Sequence, residues 1–285
     1  MIIAEIEAGL IHLVRQVARA EILPRFRRLG AADISTKTGP EDLVTEADLR
    51  AESAIATGVR DLLPEALVVG EEAVETAPEL LSGLADAPLS VIIDPVDGTW
   101  NFAKGLTTFG VILAVAERGE AVFGLLYDPV MDDWVKARRG GGAWYERADG
   151  TARRLRFGQG SSEGFTGMVP LFNFPETTRL RLARAVPGVR RIWSVRCSCH
   201  EYRTLAFDAA DFCLSSGLKP WDHTAGALIV EEAGGAVSLL DGRPYRASVT
   251  SDGAMLAARS PAVLAELRDV FAPLVTELEP GAGRI

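Results

Sequence analysis

The segment Asp94-Pro95-Val96-Asp97-Gly98-Thr99-Trp100-Asn101-Phe102 concentrates residues that could do chemistry. Two carboxylates, Asp94 and Asp97, flank a proline that fixes the chain direction as it leaves the apolar run Val91-Ile92-Ile93. Gly98 lets the backbone approach a ligand closely. Carboxylates at the end of a strand beside a glycine turn suit a hard, oxygen-seeking cation. Taken singly, Asp-Pro and Asp-Gly are ordinary turn pairs. Their occurrence together after a buried run favours a site.

Glu71 and Glu72 repeat the theme after Leu67-Val68-Val69-Gly70. If both runs are strands of one sheet, both acidic pairs emerge at the same edge. Carboxylates so grouped repel one another unless a cation joins them. Read alone, the pair is a solvated acidic loop. Thr45 and Asp48 have the spacing of an imperfect capping box, which accounts for them without further function. Asp222 follows Trp221 ahead of an apolar helix and could be only a cap. His223 beside it is a possible base or a local hydrogen-bonding residue. Cys197-Ser198-Cys199-His200 is a weak soft-metal pattern, because no second pair accompanies it.

These residues need elements to hold them. Ile6, Leu10, Leu13, Val14 and Val17 predict an amphipathic first helix, and Ala51, Ile55, Val59 and Leu62 a second, stopped by Pro64. Residues 67–69, 91–93, 111–115, 122–127, 134–137 and 143–145 read as strands of a mostly antiparallel sheet. The basic, Gly/Ser-rich stretch Arg153–Gly164 is the best internal boundary, giving parts 1–157 and 158–285. Helices are expected over 177–185, 201–210 and 221–233, the last stopped by Gly234-Gly235. A strand is expected over 237–240, and a final helix opens at Ser260-Pro261.

The chain has 285 residues, 48% hydrophobic and 24% charged, which excludes disorder and a disulfide scaffold. Its formal net charge of −9 gives no general attraction to nucleic acid or an anionic membrane. The three cysteines suit a reducing compartment. The N-terminus has acids, Glu5 and Glu7, where a signal peptide carries positive charge, so the expected address is cytoplasmic.

Three blocks, in order, carry a resemblance that spans nearly the whole chain. They are EDLVTEAD with Lys37 upstream, GEE running on to DPVDGTWNF, and WDHTAGALIVEEAGG. In these the chain resembles the inositol monophosphatase family of metal-dependent phosphatases. The resemblance implies an α/β fold of the sugar-phosphatase type, layered αβαβα. It implies two to three Mg²⁺ ions held by Glu71, Asp94, Asp97, Asp222, the Val96 carbonyl and, at a weaker site, Glu72. By the same resemblance Glu71 and Thr99 position and activate the attacking water, with Asp48 and Thr45 in support. Lys37 matches a lysine in a mobile loop. The implied reaction is direct in-line hydrolysis of a small phosphate monoester, inositol 1-phosphate or a related sugar phosphate. Histidinol phosphate and 3′-phosphoadenosine 5′-phosphate are alternatives, as is a binding protein of the same fold without activity. The implied partners are a small phosphorylated metabolite and a second copy of the chain.

Substrate contacts are expected from the backbone at Gly98 and Thr99, from Asp222, and from Ser198 and Ser215. Ser215 falls where inositol phosphatases carry an acid that meets the sugar hydroxyls. A serine accepts a hydrogen bond less strongly than a carboxylate. His200 is a further candidate pocket group, and Trp100 adds aromatic bulk near the metals. Asn101-Phe102 resembles the inositol and sugar phosphatase branches.

Overall fold

The stripe read over residues 6–17 is α1, Ala4–Val17, in a computed structural model that describes residues 4–275 except 38, 40, 161–163, 186–188 and 251–252. Parts of the polar turn at 35–40 and of the boundary stretch 153–164 therefore lie outside the described residues. After α1 come β1 (Ile34–Thr36), β2 (Leu43–Thr45), α2 (Glu46–Leu62), β3 (Leu67–Gly70), α3 (Glu71–Thr76), α4 (Leu80–Gly83) and β4 (Ser90–Asp97). Then follow α5 (Thr99–Ala103), β5 (Gly110–Glu117), β6 (Glu120–Asp128), β7 (Asp133–Arg138), β8 (Gly142–Arg147) and β9 (Ala152–Leu155). The remainder is β10 (Thr166–Met168), α6 (Glu176–Ala185), β11 (Arg191–Trp193), α7 (Ser198–Ala206), β12 (Phe212–Ser216), α8 (Pro220–Glu232), β13 (Ala236–Leu239), β14 (Ala254–Ala258) and α9 (Pro261–Val275).

β3 to β9 form a seven-stranded sheet in sequence order. Neighbours in it are antiparallel except β3 and β4, which run parallel with Gly70 opposite Ile93. The second sheet has five strands in the order β11-β10-β12-β14-β13. Side-chain alternation along β4 separates two cores. Val91 and Ile93 meet Leu10 and Val14 of α1 and Ala51 and Ile55 of α2. Ile92, on the opposite face, belongs to a cluster with Tyr202 of α7 and Ala225 and Ile229 of α8, which Cys213 and Met255 of the second sheet also join. Phe212, Leu214 and Leu256 turn the other way, onto Leu182 of α6 and Leu267 and Phe271 of α9. The layers are thus helix, sheet, helix, sheet, helix. No helix among the described residues is long and apolar enough to cross a membrane.

Two details depart from the sequence reading. β4 does not stop before Asp94 but continues to Asp97 through a bulge, since Asp94 pairs with Ile112 and Asp97 with Gly110. A bulge accommodates the missing N–H of Pro95. The helix expected over 201–210 is shifted earlier, to Ser198–Ala206.

Candidate active site

In a regular strand, residues three apart face opposite sides. The extra residue of the β4 bulge brings Asp94 and Asp97 round to the same side. Asp222, in the first turn of α8, completes the group: one carboxylate oxygen from each of Asp94, Asp97 and Asp222 lies within 4.8 Å of the others. Asp94 and Asp97 are buried. Burial, followed by the Glu71 and Asp97 charges, holds the Asp94 carboxyl well above its usual range. Burial raises Asp97 to about 6 and, together with the Asp97 charge, raises Asp222 to about 8.

The parallel pairing of β3 and β4 delivers Glu71 and Glu72 to the same edge. Gly70 is required there, because a Cβ would lie 2.2 Å from the carboxyl carbon of Glu52. Glu52 accepts from the backbone N–H groups of Glu72 and Ala73 at 2.8 Å each, which fixes the start of α3. Lys37 donates to Glu71 at 3.1 Å and to Glu72 at 2.7 Å. Burial and the Glu71 charge still leave Glu72 raised to about 7. Lys219 Nζ lies 4.0 Å from Glu71 Oε1.

The box at the start of α2 is complete. The Thr45 hydroxyl accepts from Ala47 N at 3.2 Å, and Thr45 N donates to Asp48 Oδ2 at 2.9 Å. Asp48 is more than a cap, however. Its Oδ2 also accepts the Thr45 hydroxyl proton, and its Oδ1 lies 3.1 Å from the Thr99 hydroxyl. Burial raises Asp48 to about 6. The Thr99 hydroxyl also lies 3.0 Å from the Val96 carbonyl. Gly98 caps α5 with φ +85°, a conformation a residue with a Cβ rarely adopts.

A cavity of about 250 Å³ opens on this group. Glu71, Asp97, Gly98, Thr99, Ser198, Ser215 and Asp222 line it. Asp94, Val96, Asp48, Thr45, Glu72 and Lys37 are not among the residues that line it. His200 is placed elsewhere: its Nε2 meets the Phe109 carbonyl at 3.0 Å, because the first turn of α7 carries it toward the large sheet. Asn101 holds backbone carbonyls, Thr108 and Val195, at 2.8 Å each. His223 borders the cavity, but its Nδ1 pairs with the Tyr202 hydroxyl at 3.1 Å. Burial lowers its pKa to about 3, so it is neutral.

The cysteines take a part that their sequence pattern does not announce. Cys197 Sγ lies 3.0 Å from Asp97 Oδ2, and the Cys199 N–H donates to the same oxygen. Burial pushes both thiols well above their ordinary range, which suits them to act as protonated donors. Arg196, Glu41 and Phe172, which sequence reasoning passed over, also line the cavity.

The donor set fits a hard divalent cation. It is all oxygen, with Asp94 and Asp97 buried and Asp222 half-buried, and mutually repulsive until a positive charge joins it.

Comparison with known proteins bears on the family and the fold. The profile of the family described as "Inositol monophosphatase family" matches residues 3–276. An inositol-1-monophosphatase of Mesorhizobium japonicum is 34% identical over 72% of this chain and 74% of its own length. A fructose-1,6-bisphosphatase/inositol-1-monophosphatase of Thermotoga maritima is 30% identical over 75% and 78%. The Nus factor SuhB of Escherichia coli is 31% identical over 76% and 79%. Among solved structures, a Thermotoga maritima IMPase superposes with a TM-score of 0.77 and 26% identity, covering 94% of this chain and 97% of that one.

Proposed function

The chain belongs to the inositol monophosphatase family, and from that premise we propose that it hydrolyses a small phosphate monoester, inositol 1-phosphate or a related sugar phosphate, with Mg²⁺ as cofactor. The observation that carries this reading is the convergence of Asp94, Asp97 and Asp222 at a cavity that Glu71 and Thr99 also line.

Glu71, Asp94, Asp97, Asp222, the Val96 carbonyl and, more weakly, Glu72 would hold two to three ions. Bound there, Mg²⁺ would neutralise the phosphate and lower the pKa of the attacking water. The protein's own residues do the orienting. A hydroxyl has one proton to give. The proton of Thr99 is engaged by Asp48 and the Val96 carbonyl, so its lone pairs are left to accept from a water. Thr45 fixes Asp48 in that role through its hydroxyl and its backbone N–H. Glu71 receives the water's proton, and Lys37 balances its charge before substrate arrives. The Gly98 and Thr99 amides, Ser198, Ser215 and Asp222 contact the substrate.

Residues 1–157 and 158–285 act as two parts of one site, the second completing the substrate pocket. The working unit is a cytoplasmic homodimer whose ligand is a phosphorylated metabolite and not nucleic acid. A factor that keeps the fold and acts only by binding is the competing reading, and the similarity to a Nus factor gives it weight. The full carboxylate set with Thr99 in place weighs against it.

The test is phosphate release with Mg²⁺, against an EDTA control, from inositol 1-phosphate, fructose 1,6-bisphosphate, histidinol phosphate and 3′-phosphoadenosine 5′-phosphate. One substrate ahead by about 100-fold in kcat/KM, worth about 2.7 kcal/mol, names the class. No release from any of them, nor from an aryl phosphate, leaves the binding reading.

A further inference from the structure

Arg196 stands directly before the thiol that holds Asp97, yet the reaction as described makes no use of it. Its backbone has φ +55°. For a residue with a Cβ this left-handed conformation is strained, which glycine would avoid.

The guanidinium packs against two rings. Its carbon lies 4.3 Å from the Trp100 ring centroid and 4.9 Å from that of Phe172. The backbone beneath it is pinned by Asn101, which donates to the Val195 carbonyl at 2.8 Å. Trp100, Phe172, Arg196 and Glu41 line the same cavity as Asp97, Thr99 and Asp222. A guanidinium stacked on aromatic faces keeps its plane, and with it the fork of donors that grips carboxylate or phosphate through two bonds.

Its present partner is weakly held. Arg196 Nη1 donates to Glu41 Oε2 at 2.8 Å, but the Glu41 side chain is 59% exposed. A pair this open contributes little, because solvent screens it. Glu201 also lines the cavity, but its Oε1 is already engaged by the Ser194 hydroxyl and the Val195 N–H. An anion entering the cavity can therefore take the guanidinium from Glu41 at small cost.

We propose, resting on the phosphatase reading above, that Arg196 is a specificity-determining residue and that the alcohol released carries a second anionic group, a carboxylate or a further phosphate, bound by the guanidinium in exchange for Glu41. The ester phosphate at the carboxylate cluster and the second anion at Arg196 mark the two ends of one small molecule. A neutral polyol phosphate engages only the first. Glu41 balances the arginine until such a molecule arrives.

The experiment measures kcat/KM with Mg²⁺ for two matched pairs, with an aryl phosphate as control. 3-Phosphoglycerate against glycerol 3-phosphate tests a carboxylate. Fructose 1,6-bisphosphate against fructose 1-phosphate tests a second phosphate. The wild type should favour the anionic member of at least one pair by about tenfold or more, as a site built around a charged hydrogen-bonding group does. Arg196→Gln should bring that preference below about threefold, and Arg196→Lys should keep part of it, since the charge survives but the fork does not. Glu41→Gln removes the competing carboxylate and should raise the preference, which keeps the test decisive if Arg196→Gln fails to fold. No preference in either pair, an equal loss on both members in Arg196→Gln, or an unchanged preference in Glu41→Gln overturns the proposal. Absence of aryl phosphate turnover by the wild type removes the phosphatase reading instead, and this inference with it.

Discussion

Cys197 holds Asp97 across 100 residues of chain, its thiol 3.0 Å from the carboxylate Oδ2. The contact joins the start of α7, beside the second sheet, to the bulged end of β4 in the first. It places a second donor on an oxygen that already accepts from the Cys199 N–H, and both favour the buried charge. Groups that orient a metal ligand in this way typically change affinity by about 10–100-fold when removed. Cys197→Ala should therefore raise the Mg²⁺ concentration needed for half-maximal activity by about tenfold, with Cys197→Ser recovering most of it. Unchanged Mg²⁺ dependence in the alanine variant would show that the thiol only fills space.

The same burial makes the thiols inert. Cys197, Cys199 and Cys213 are all buried with raised pKa values, and the thiolate is the reactive form. An aromatic disulfide reagent should label none of the three cysteines quickly in the folded protein and all three in denaturant. Rapid labelling of even one in the folded protein would contradict this packing.

Asp94→Asn removes one charge from a group of mutually repelling carboxylates. Turnover with Mg²⁺ should fall by roughly two to three orders of magnitude, as when one preorganised charge is lost from a reaction centre. The metal-free protein should melt at the same temperature or higher, because the Asp94 charge is disfavoured by burial and by Glu71. Unfolding of the variant would make Asp94 a structural residue.

Much of the site is readable in sequence because each acid stands at the end of its own local element. Asp94 and Asp97 follow an apolar run, Glu71 follows a strand and a glycine, and Asp222 opens a helix. Their convergence depends on the parallel pairing of β3 with β4, which no local pattern specifies. The Cys197–Asp97 contact and the packing of Arg196 against its two rings are longer-range still, and the cysteine spacing announces neither. The second sheet is the least legible. β14, Ala254–Ala258, is buried on both faces and rich in alanine, so it shows neither alternation nor strand propensity. β12, Phe212–Ser216, follows a helix closely and is masked by it.

Ser215→Ala should shift substrate preference more than turnover of an aryl phosphate. Ser215 lines the cavity and is itself buried. Losing one neutral hydrogen bond costs about 0.5–1.5 kcal/mol, or roughly two- to twelvefold in kcat/KM for a substrate that uses it. Equal losses on every ester would remove Ser215 from substrate recognition.

Stability should fall with rising pH in the metal-free protein, opposite to the usual behaviour of paired carboxylates. Asp48 and Asp97 are raised to about 6, Glu72 to about 7 and Asp222 to about 8, against unfolded values near 4. Between those limits these four groups bind more protons in the folded protein than in the unfolded chain and outnumber buried His200 and His223, whose lowered pKa values act the other way, so the slope of unfolding free energy with pH is negative. The stability these groups contribute is fully present below about pH 4 and is lost through pH 8. A divalent cation binds the ionised carboxylates, so its stabilising effect must grow over the same window. Melting temperatures with Mg²⁺ and with EDTA should therefore lie close together at pH 5 and separate by pH 8. A difference independent of pH would mean that the ion binds away from these carboxylates.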